Sequence, residues 1–594
     1  MARSSSTLTA PAPKTKAAAQ LSSARHEEGW RETVEAIVVA FILALLVRGF
    51  VAEAFVIPTG SMAPTLMGRH KEVDCPQCGY VYSVNAAEEA EGLHAGTPEG
   101  RVASGICLNC RYQYRLAKEP SFKGDRILVM KFPYELPRLP LSSGPKRWDV
   151  MVFRYPEKPE ESYIKRLVGL PGDTVRIWYG DISIKPAGSR EFHQEHRPLY
   201  HQQAMQMMVY DDHHRPKALK DRPEWQRWVS TDGESWAEET ATPGSFVAKS
   251  NPDTWAELRY RHLVPDPVQW NALEANETPA RAPKPNLITD FYSYNTNLSA
   301  RASDLTAPRP DGDSEYAWNQ SDWVGDLTLS AKVNAQGTSG KVRFELIEGG
   351  VSNRAEVDLA TGIVTVFHGE EKVGEAGSSL KAGGSHDVRF ANVDNRLTLW
   401  VDNATVFGDG LIYSDPDPNR HPDPTIEDLS PARIASQGAE VRVSDLVLKR
   451  DIYYTLNPGR IDYSFGRSWD DPKLPRNPVE LAEMLADPAR VAAFSPLSYS
   501  DYPVSDNGYL MLGDNSPRSK DSRAWSDEDK YDETNQSGWD HAHRERWEVP
   551  RKMLTGKAFS VYWPHGKPFG PDIHFGSDFR IPFRPYFERM KWIR

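Results

Sequence analysis

At 594 residues the chain is several times longer than one ordinary domain, and at about 150 residues per domain it should divide into roughly four units. Lys and Arg number 71 against 82 Asp and Glu, a net charge of -11 with no basic block in it, which excludes nucleic acid as the main partner. An apolar content of 39% with 10% aromatics excludes wholesale disorder and a polytopic membrane protein, and four Cys exclude a disulfide-dense scaffold.

Residues 1–32 are rich in Ser, Ala, Thr and Pro and carry Arg3, Lys14, Lys16, Arg25 and Arg31, a composition that predicts a disordered basic tail. Ala36 to Val47 is an unbroken apolar run whose flanks, with Glu35 and Arg48 snorkelling at the ends, extend it to a single transmembrane helix over 33–50. A cleavable signal peptide is the competing reading, because Ala52-Glu53-Ala54 mimics an A-x-A cleavage site, but the stretch ahead of the run is far too long for one. Five basic residues before the span against Arg48 just after it place the N-terminus in the cytoplasm and the remainder on the extracytoplasmic side.

Directly after the span, Ile57-Pro58-Thr59-Gly60-Ser61-Met62-Ala63-Pro64-Thr65-Leu66 forces a tight turn around Ser61. Alone, it reads as an ordinary Ser/Thr turn. Residues 71–120 hold all four cysteines as Cys75-Pro76-Gln77-Cys78 and Cys107-Leu108-Asn109-Cys110, which predicts a ribbon-like insertion with four thiolates on one structural zinc. A pair of disulfides is the alternative, since an extracytoplasmic location permits them and the gap between the pairs is longer than usual. Between the pairs, Ala86 to Gly100 reads as an acidic loop.

Tyr163-Ile164-Lys165-Arg166-Leu167-Val168-Gly169-Leu170-Pro171-Gly172-Asp173 reads as a strand closed by a Pro-Gly-Asp turn, with Tyr163, Lys165 and Leu167 on one face. A lysine among apolar neighbours loses solvation, which lowers its pKa and makes it usable as a base; an edge-strand lysine exposed to water is the bland reading. Residues 181–290 look irregular and contain His193, His196, His201, His213 and His214, read as scattered rather than metal-binding. Residues 291–454 are strand after strand, among them Asp326 to Val333, Gly340 to Ile347, Gly362 to Phe367, His386 to Phe390, Arg396 to Val401 and Ala439 to Leu448. This predicts an all-β sandwich insertion, and the run from His386 to Asp402 resembles concanavalin-like, laminin-G-like sandwiches. Asp415 to Asp428 is a Pro/Asp loop that would suit calcium, with a solvated turn as the default, and 455–499 is a connector. Next comes the polar loop Gly513-Asp514-Asn515-Ser516-Pro517-Arg518-Ser519-Lys520-Asp521-Ser522-Arg523, then a strand from Leu554 to Trp563 and an extension over 566–594.

The Ser61, Lys165 and Gly513 segments, with Lys123 to Val129 and Trp148 to Phe153 between the first two, resemble in order and composition the boxes of bacterial type I signal peptidase. The resemblance implies an all-β catalytic core built from 51–70, 121–180 and 500–565. It implies Ser61 as nucleophile, Lys165 as general base, Ser519 as the residue that hydrogen-bonds and orients the lysine, and Thr59 with the Ser61 N–H as oxyanion hole. Asp521 and Arg523 would form a supporting ion pair, Asp514 would support the same box, and Phe55, Ile57, Met62, Leu66 and Ile164 would line the substrate pocket.

The sequence thus predicts a mainly β, single-pass membrane serine endopeptidase that removes signal peptides from preproteins after small A-x-A residues at the cytoplasmic membrane. Catalysis would need no cofactor, and the partners would be preproteins and the lipid bilayer, with a carbohydrate or protein ligand of the sandwich as a further candidate. The rival from another class is a membrane-anchored, lectin-like binding protein on a degenerate peptidase scaffold, and a Ser/Lys regulator protease is a weaker one. The sandwich is expected to be dispensable for chemistry.

Overall fold

The computed structural model describes residues 16–90, 96–97, 100–116, 118–131, 144–249, 251–299, 320–414, 422–458, 462, 473–494, 499–525, 547–564, 566–575, 579–585 and 587–593. The chain enters through helix α1 (Lys16–Leu46), prolonged by a π-turn over Val47–Val51. Its stretch Trp30–Val51, 22 residues of mean hydropathy 2.4 and wholly unburied in the protein, is long and apolar enough to cross a membrane. The helix begins at Lys16, ahead of the expected start at residue 33, so 16–32 is helical where a disordered tail was predicted; residues 1–15 lie outside the described part.

The site is carried by a mostly antiparallel sheet of strands far apart in sequence: β1 (Ala52–Val56), β2 (Arg126–Met130), β3 (Val150–Arg154), β4 (Ser162–Gly169), β5 (Leu510–Leu512) and β6 (Leu554–Trp563). Their spatial order is β1-β2-β6-β3-β4-β5, with Lys591–Trp592 of the C-terminal extension adding to β6. Strand β4 is buried from Lys165 to Gly169 because it is covered on both faces. Tyr163 and Leu167 join Met151, Phe153 and Trp525 on one side, while Ile164 joins Ile57, Met62 and Leu66 on the other. A second sheet follows directly, with the hairpin Thr174–Trp178 and Asp181–Lys185 pairing with Ser500–Pro503.

Two sheets built from residues 207–450 share one large apolar core. Every strand expected between 326 and 448 is present, and the Asp394-Asn395 and Asp402-Asn403 turns hold both residues at positive φ, from 51° to 66°, as tight hairpins with a right-handed twist require. The boundaries differ from the expected 291–454. Met207–Asp211, Trp236–Glu238 and Phe246–Ala248 add to one sheet and Trp228–Ser230 and Ala256–Tyr260 to the other, so the stretch 181–290, expected to be irregular, supplies strands to both layers. These runs are only three to five residues long and interrupted by Pro and Gly, too short to show periodicity. At the other boundary Phe291, Tyr292 and Tyr294 pack with Ala63, Met67, Val168 and Leu512, in the core next to the nucleophile turn.

The cysteine pairs sit in the turns of two hairpins, His70–Asp74 with Val81–Asn85 and Val102–Ile106 with Gln113–Arg115. Each pair is followed by a residue at positive φ, Gly79 at 70° and Arg111 at 63°, so the two knuckles are built alike. Residues 415–421 of the Pro/Asp loop lie outside the described part, and Asp428 accepts hydrogen bonds from Thr425 and from the N–H groups of Gly349 and Gly350, a capping role.

Candidate active site

Antiparallel pairing assembles the site. Strand β3 sets Met151 opposite Lys165, and β5 runs back along β4 with Leu512 opposite Arg166, so that Gly513 arrives abreast of Lys165. Strand β1 delivers the Ser61 turn to the same place, Ile57 N–H donating to the Asp125 carbonyl at 2.9 Å. Close approach there excludes a side chain at position 513, where a Cβ would lie 2.5 Å from the Ser61 carbonyl oxygen and 2.1 Å from Ser519 Oγ.

Lys165 Nζ lies 2.6 Å from Ser61 Oγ and 3.1 Å from the Ile164 carbonyl oxygen. Both side chains are buried, Ser61 at 7% and Lys165 at 4% exposure. Burial pushes the lysine down from 10.5 to about 8, although Asp521 and Asp514 pull it up; Arg523 works with the burial. The Tyr163 ring lies 5.3 Å from the amine and stacks on Tyr155, forming an aromatic wall that keeps water from it.

The polar loop is held by two fully buried ion pairs. Arg523 grips Asp521 with Nε at 2.9 Å and Nη2 at 2.7 Å, and Asp521 Oδ2 accepts the Gly513 N–H at 2.9 Å. Arg166 grips Asp514 through Nε at 2.7 Å and Nη2 at 2.6 Å and donates to the Trp148 carbonyl at 2.7 Å. Two bidentate guanidinium–carboxylate forks satisfy the buried charges and fix the loop's shape beneath the Ser–Lys pair.

The expected Asp521–Arg523 pair is therefore formed, and the Asp514 partner that sequence reasoning missed is Arg166, the residue next to the lysine. One expected contact is not made. Ser519 Oγ has no hydrogen-bond partner among the described residues; it is packed against Gly513 while the lysine amine turns to Ser61 and to the Ile164 carbonyl. Thr59 is exposed beside the turn. Phe55, Ile57, Met62, Leu66 and Ile164 do gather in one apolar cluster, but Ile57, Met62 and Leu66 are buried beneath it, leaving only Phe55 and Ile164 partly open to a ligand.

Sequence reasoning also missed Asn515, Tyr294 and Asn295. The Asn515 N–H donates to the Ser61 carbonyl at 3.1 Å and its amide Nδ2 to the Gly60 carbonyl at 3.1 Å, so one residue holds the peptide groups on both sides of Ser61. The Tyr294 ring closes over Gly60, where a Cβ would meet its Cε1 at 2.1 Å. The Asn295 side chain pairs with that of Asn515.

The four cysteines are free, buried and mutually close: Cys75 Sγ to Cys110 Sγ and Cys78 Sγ to Cys107 Sγ are each 3.6 Å, and all four sulfurs lie within 4.8 Å of one another. A tetrahedral zinc with bonds of about 2.3 Å spaces its sulfurs at about 3.8 Å, so this donor set fits a metal, with none of the four sulfurs at disulfide distance from another. Among the described residues, the other group able to hold a metal is Asp181, Asp326 and Asp394, and none of the five histidines belongs to either.

Comparison with known proteins finds similarity to the family that the motifs resemble, over part of the chain. The family model "Signal peptidase, peptidase S26" matches residues 30–74 and 112–230. The chain is 58% identical over 60 residues to signal peptidase I of Pseudomonas aeruginosa, 9% of this chain and 21% of that protein. It is 27% identical over 143 residues to signal peptidase I of Rickettsia bellii, 24% of this chain and 35% of that protein. Against the probable signal peptidase I-2 of Synechocystis sp. it is 26% identical over 163 residues, 27% of this chain and 47% of the relative. The matches thus span from about a fifth to about half of these relatives. Among solved structures the carbohydrate binding module CBM66 from Bacillus subtilis matches 38% of this chain and 94% of that one, at 9% identity and a TM-score of 0.19.

Proposed function

We infer that the chain is a membrane-bound serine endopeptidase that cleaves N-terminal signal peptides from exported preproteins after small A-x-A residues, using Ser61 and Lys165. The observation that carries this reading is the buried Ser61 Oγ 2.6 Å from a lysine amine brought down to about 8, immediately downstream of an apolar helix able to anchor it in a bilayer. A serine hydroxyl needs a base that is neutral at working pH, and burial gives the lysine that property without a histidine.

In the acylation step neutral Lys165 takes the Ser61 proton as Oγ bonds to the scissile carbonyl carbon. The carbonyl π electrons move to oxygen, and the oxyanion is met by the Ser61 N–H and the Thr59 hydroxyl. The Lys165 ammonium returns its proton to the departing amine, which leaves with the mature protein's N-terminus and an acyl-Ser61 ester behind. Water, deprotonated by the same amine, then adds to the ester carbon and releases the signal peptide carboxylate. The substrate lies extended along the rim where Phe55 and Ile164 are partly open. The N-terminus faces the cytoplasm and the active site the extracytoplasmic side. The four cysteines would hold one zinc ion that ties the two knuckles together as a structural element.

The rival, a binding protein on a degenerate scaffold, is disfavoured by the dyad contact and by both intact buried ion pairs beneath it, which a scaffold free of catalytic duty has no need to keep. The deciding experiment incubates the detergent-solubilised full chain with a preprotein bearing an A-x-A site, beside Ser61→Ala. Cleavage at the site by the wild type and none by the variant is expected; uncut preprotein in both sinks the reading.

A further inference from the structure

Asn295 lies in the large insertion, outside both stretches that the signal peptidase family model matches, yet its side chain reaches the nucleophile turn. We propose that Asn295 is a positioning residue: acting through Asn515, it sets the direction of the Ser61 N–H and so couples the insertion to catalysis. This rests on the endopeptidase reading above.

A chain of amides whose polarity is fixed from one end links Gln320 to Gly60. The Tyr292 N–H donates to Gln320 Oε1 at 2.8 Å, so the oxygen end of that amide faces the segment. Asn295 Nδ2 must then be the end that faces Gln320 Oε1, 3.2 Å away, and its other N–H goes to Asn515 Oδ1 at 2.7 Å. Asn295 Oδ1 in turn accepts from Asn515 Nδ2 at 2.8 Å, and the last N–H of Asn515 is left to grip the Gly60 carbonyl at 3.1 Å. Flipping any one amide would set oxygen against oxygen or N–H against N–H in a site where Asn295, Asn515 and Gln320 are at most 4% exposed.

The Gly60 oxygen and the Ser61 N–H belong to one planar trans peptide and point in opposite directions, so holding the oxygen aims the N–H. That N–H is the proposed oxyanion donor, and an error of a fraction of an ångström there falls on the transition state rather than on the bound substrate. The segment is itself anchored by the sandwich: Arg450, at the end of the strand Glu440–Arg450, donates to the Asp290 carbonyl at 2.5 Å and to the Phe291 carbonyl at 3.2 Å.

The test uses the full-length protein in detergent and measures kcat and KM for preprotein cleavage. Asn295→Leu keeps the branching at Cγ but cannot hydrogen-bond. It should lower kcat by about a hundredfold while KM stays within about twofold. The pH at half-maximal rate should not move, because Lys165 is untouched. Asn295→Asp keeps one acceptor but sets a carboxylate oxygen against Asn515 Oδ1, and should lower kcat at least as far. Combining Asn295→Leu with Asn515→Ala should cost little beyond Asn515→Ala alone, because the two act in series. Gln320→Leu, one step further from Ser61, should give a milder fall in kcat only, and its result decides the matter if Asn295→Leu does not fold. An active wild type whose folded Asn295 and Gln320 variants keep kcat, or lose activity through KM alone, overturns the inference. A wild type that cleaves no preprotein instead overturns the endopeptidase reading.

Discussion

The sharpest consequence of the site is the pH dependence of its base. Lys165 is brought from 10.5 to about 8 chiefly by burial, with the residual carboxylate pull of Asp521 and Asp514 preventing a deeper fall. With a pKa of about 8, about a tenth of the free enzyme carries the neutral amine at pH 7 and about nine tenths at pH 9, so kcat/KM should rise about tenfold over that interval, with a slope approaching one only below pH 7, and then level. Lys165→Arg should abolish the limb along with the activity, since guanidinium keeps its proton. The same displacement has a stability side. The lowered folded-state value means the unfolded chain binds the proton first, so stability is fully present above 10.5, falls as pH drops towards 8 and is constant below, for a deficit of about 3 kcal/mol. Lys165→Met should remove that dependence and melt higher than wild type at pH 7, with the advantage shrinking by about the same 3 kcal/mol by pH 10.5. The assay is preprotein cleavage from pH 6 to 10, with thermal unfolding of both proteins in detergent at each pH. A flat rate profile from pH 6 to 9, or a limb near pH 10.5, would refute the reasoning.

Asp514→Ala leaves the Arg166 guanidinium buried without its carboxylate and should destabilise the core by about 3–5 kcal/mol, read as a fall in melting temperature. Gly60→Ala puts a methyl into the Tyr294 ring and should cut activity severely, while adding Tyr294→Leu should restore part of it; an unaffected single variant would show that the ring yields freely. Purified protein should carry about one zinc, with the four thiols resisting alkylation until a chelator is added. Metal-free protein whose thiols are freely alkylated contradicts that assignment.

The contact between Ser61 and Lys165 was legible through the resemblance because its residues stand in short boxes: a Pro/Gly turn at Ser61, an alternating strand at Lys165, and a polar loop whose Asp521–Arg523 fork bridges only one residue. The long strands of the insertion were legible for a similar reason, since Leu327–Gln336 or Glu440–Arg450 shows its period of two over many residues. Illegible were contacts between chemically ordinary residues distant in sequence. Asn295 meets Asn515 across 220 positions, and nothing in Ser293-Tyr294-Asn295 distinguishes it from any other turn. The Arg166–Asp514 fork spans 348 positions; both residues stood in the quoted boxes, but which carboxylate faces which guanidinium is decided by the β4–β5 register. Ser519 shows the converse limit: the resemblance implied a hydrogen bond to the lysine, while the direction of its hydroxyl depends on the close packing against Gly513.

The expectation that replacing residues 291–454 by a short linker leaves cleavage measurable assumed that an insertion meets its host only at two chain crossings. Here both flanks are built into the site. Entering, the segment that follows Asp290 brings Tyr294 and Asn295 onto the nucleophile turn. Leaving, the Thr455 N–H donates to Ser516 Oγ at 2.8 Å, and Arg523 Nη1 donates to the Thr455 carbonyl at 2.7 Å. A cut inside those flanks fails for another reason, because Glu440–Arg450 pairs with Met207–Asp211 and Phe246–Ala248, and Ala432–Gln437 with Ala256–Tyr260; removing the later strands strips the earlier ones of their neighbours and exposes their ladder groups. The two sheets and the catalytic floor therefore share segments and cannot be separated by trimming a loop. One segment is thus bonded both to the strand Glu440–Arg450 and to the amides behind Ser61, so under the endopeptidase reading proposed above the insertion must be folded for Ser61 to be aimed.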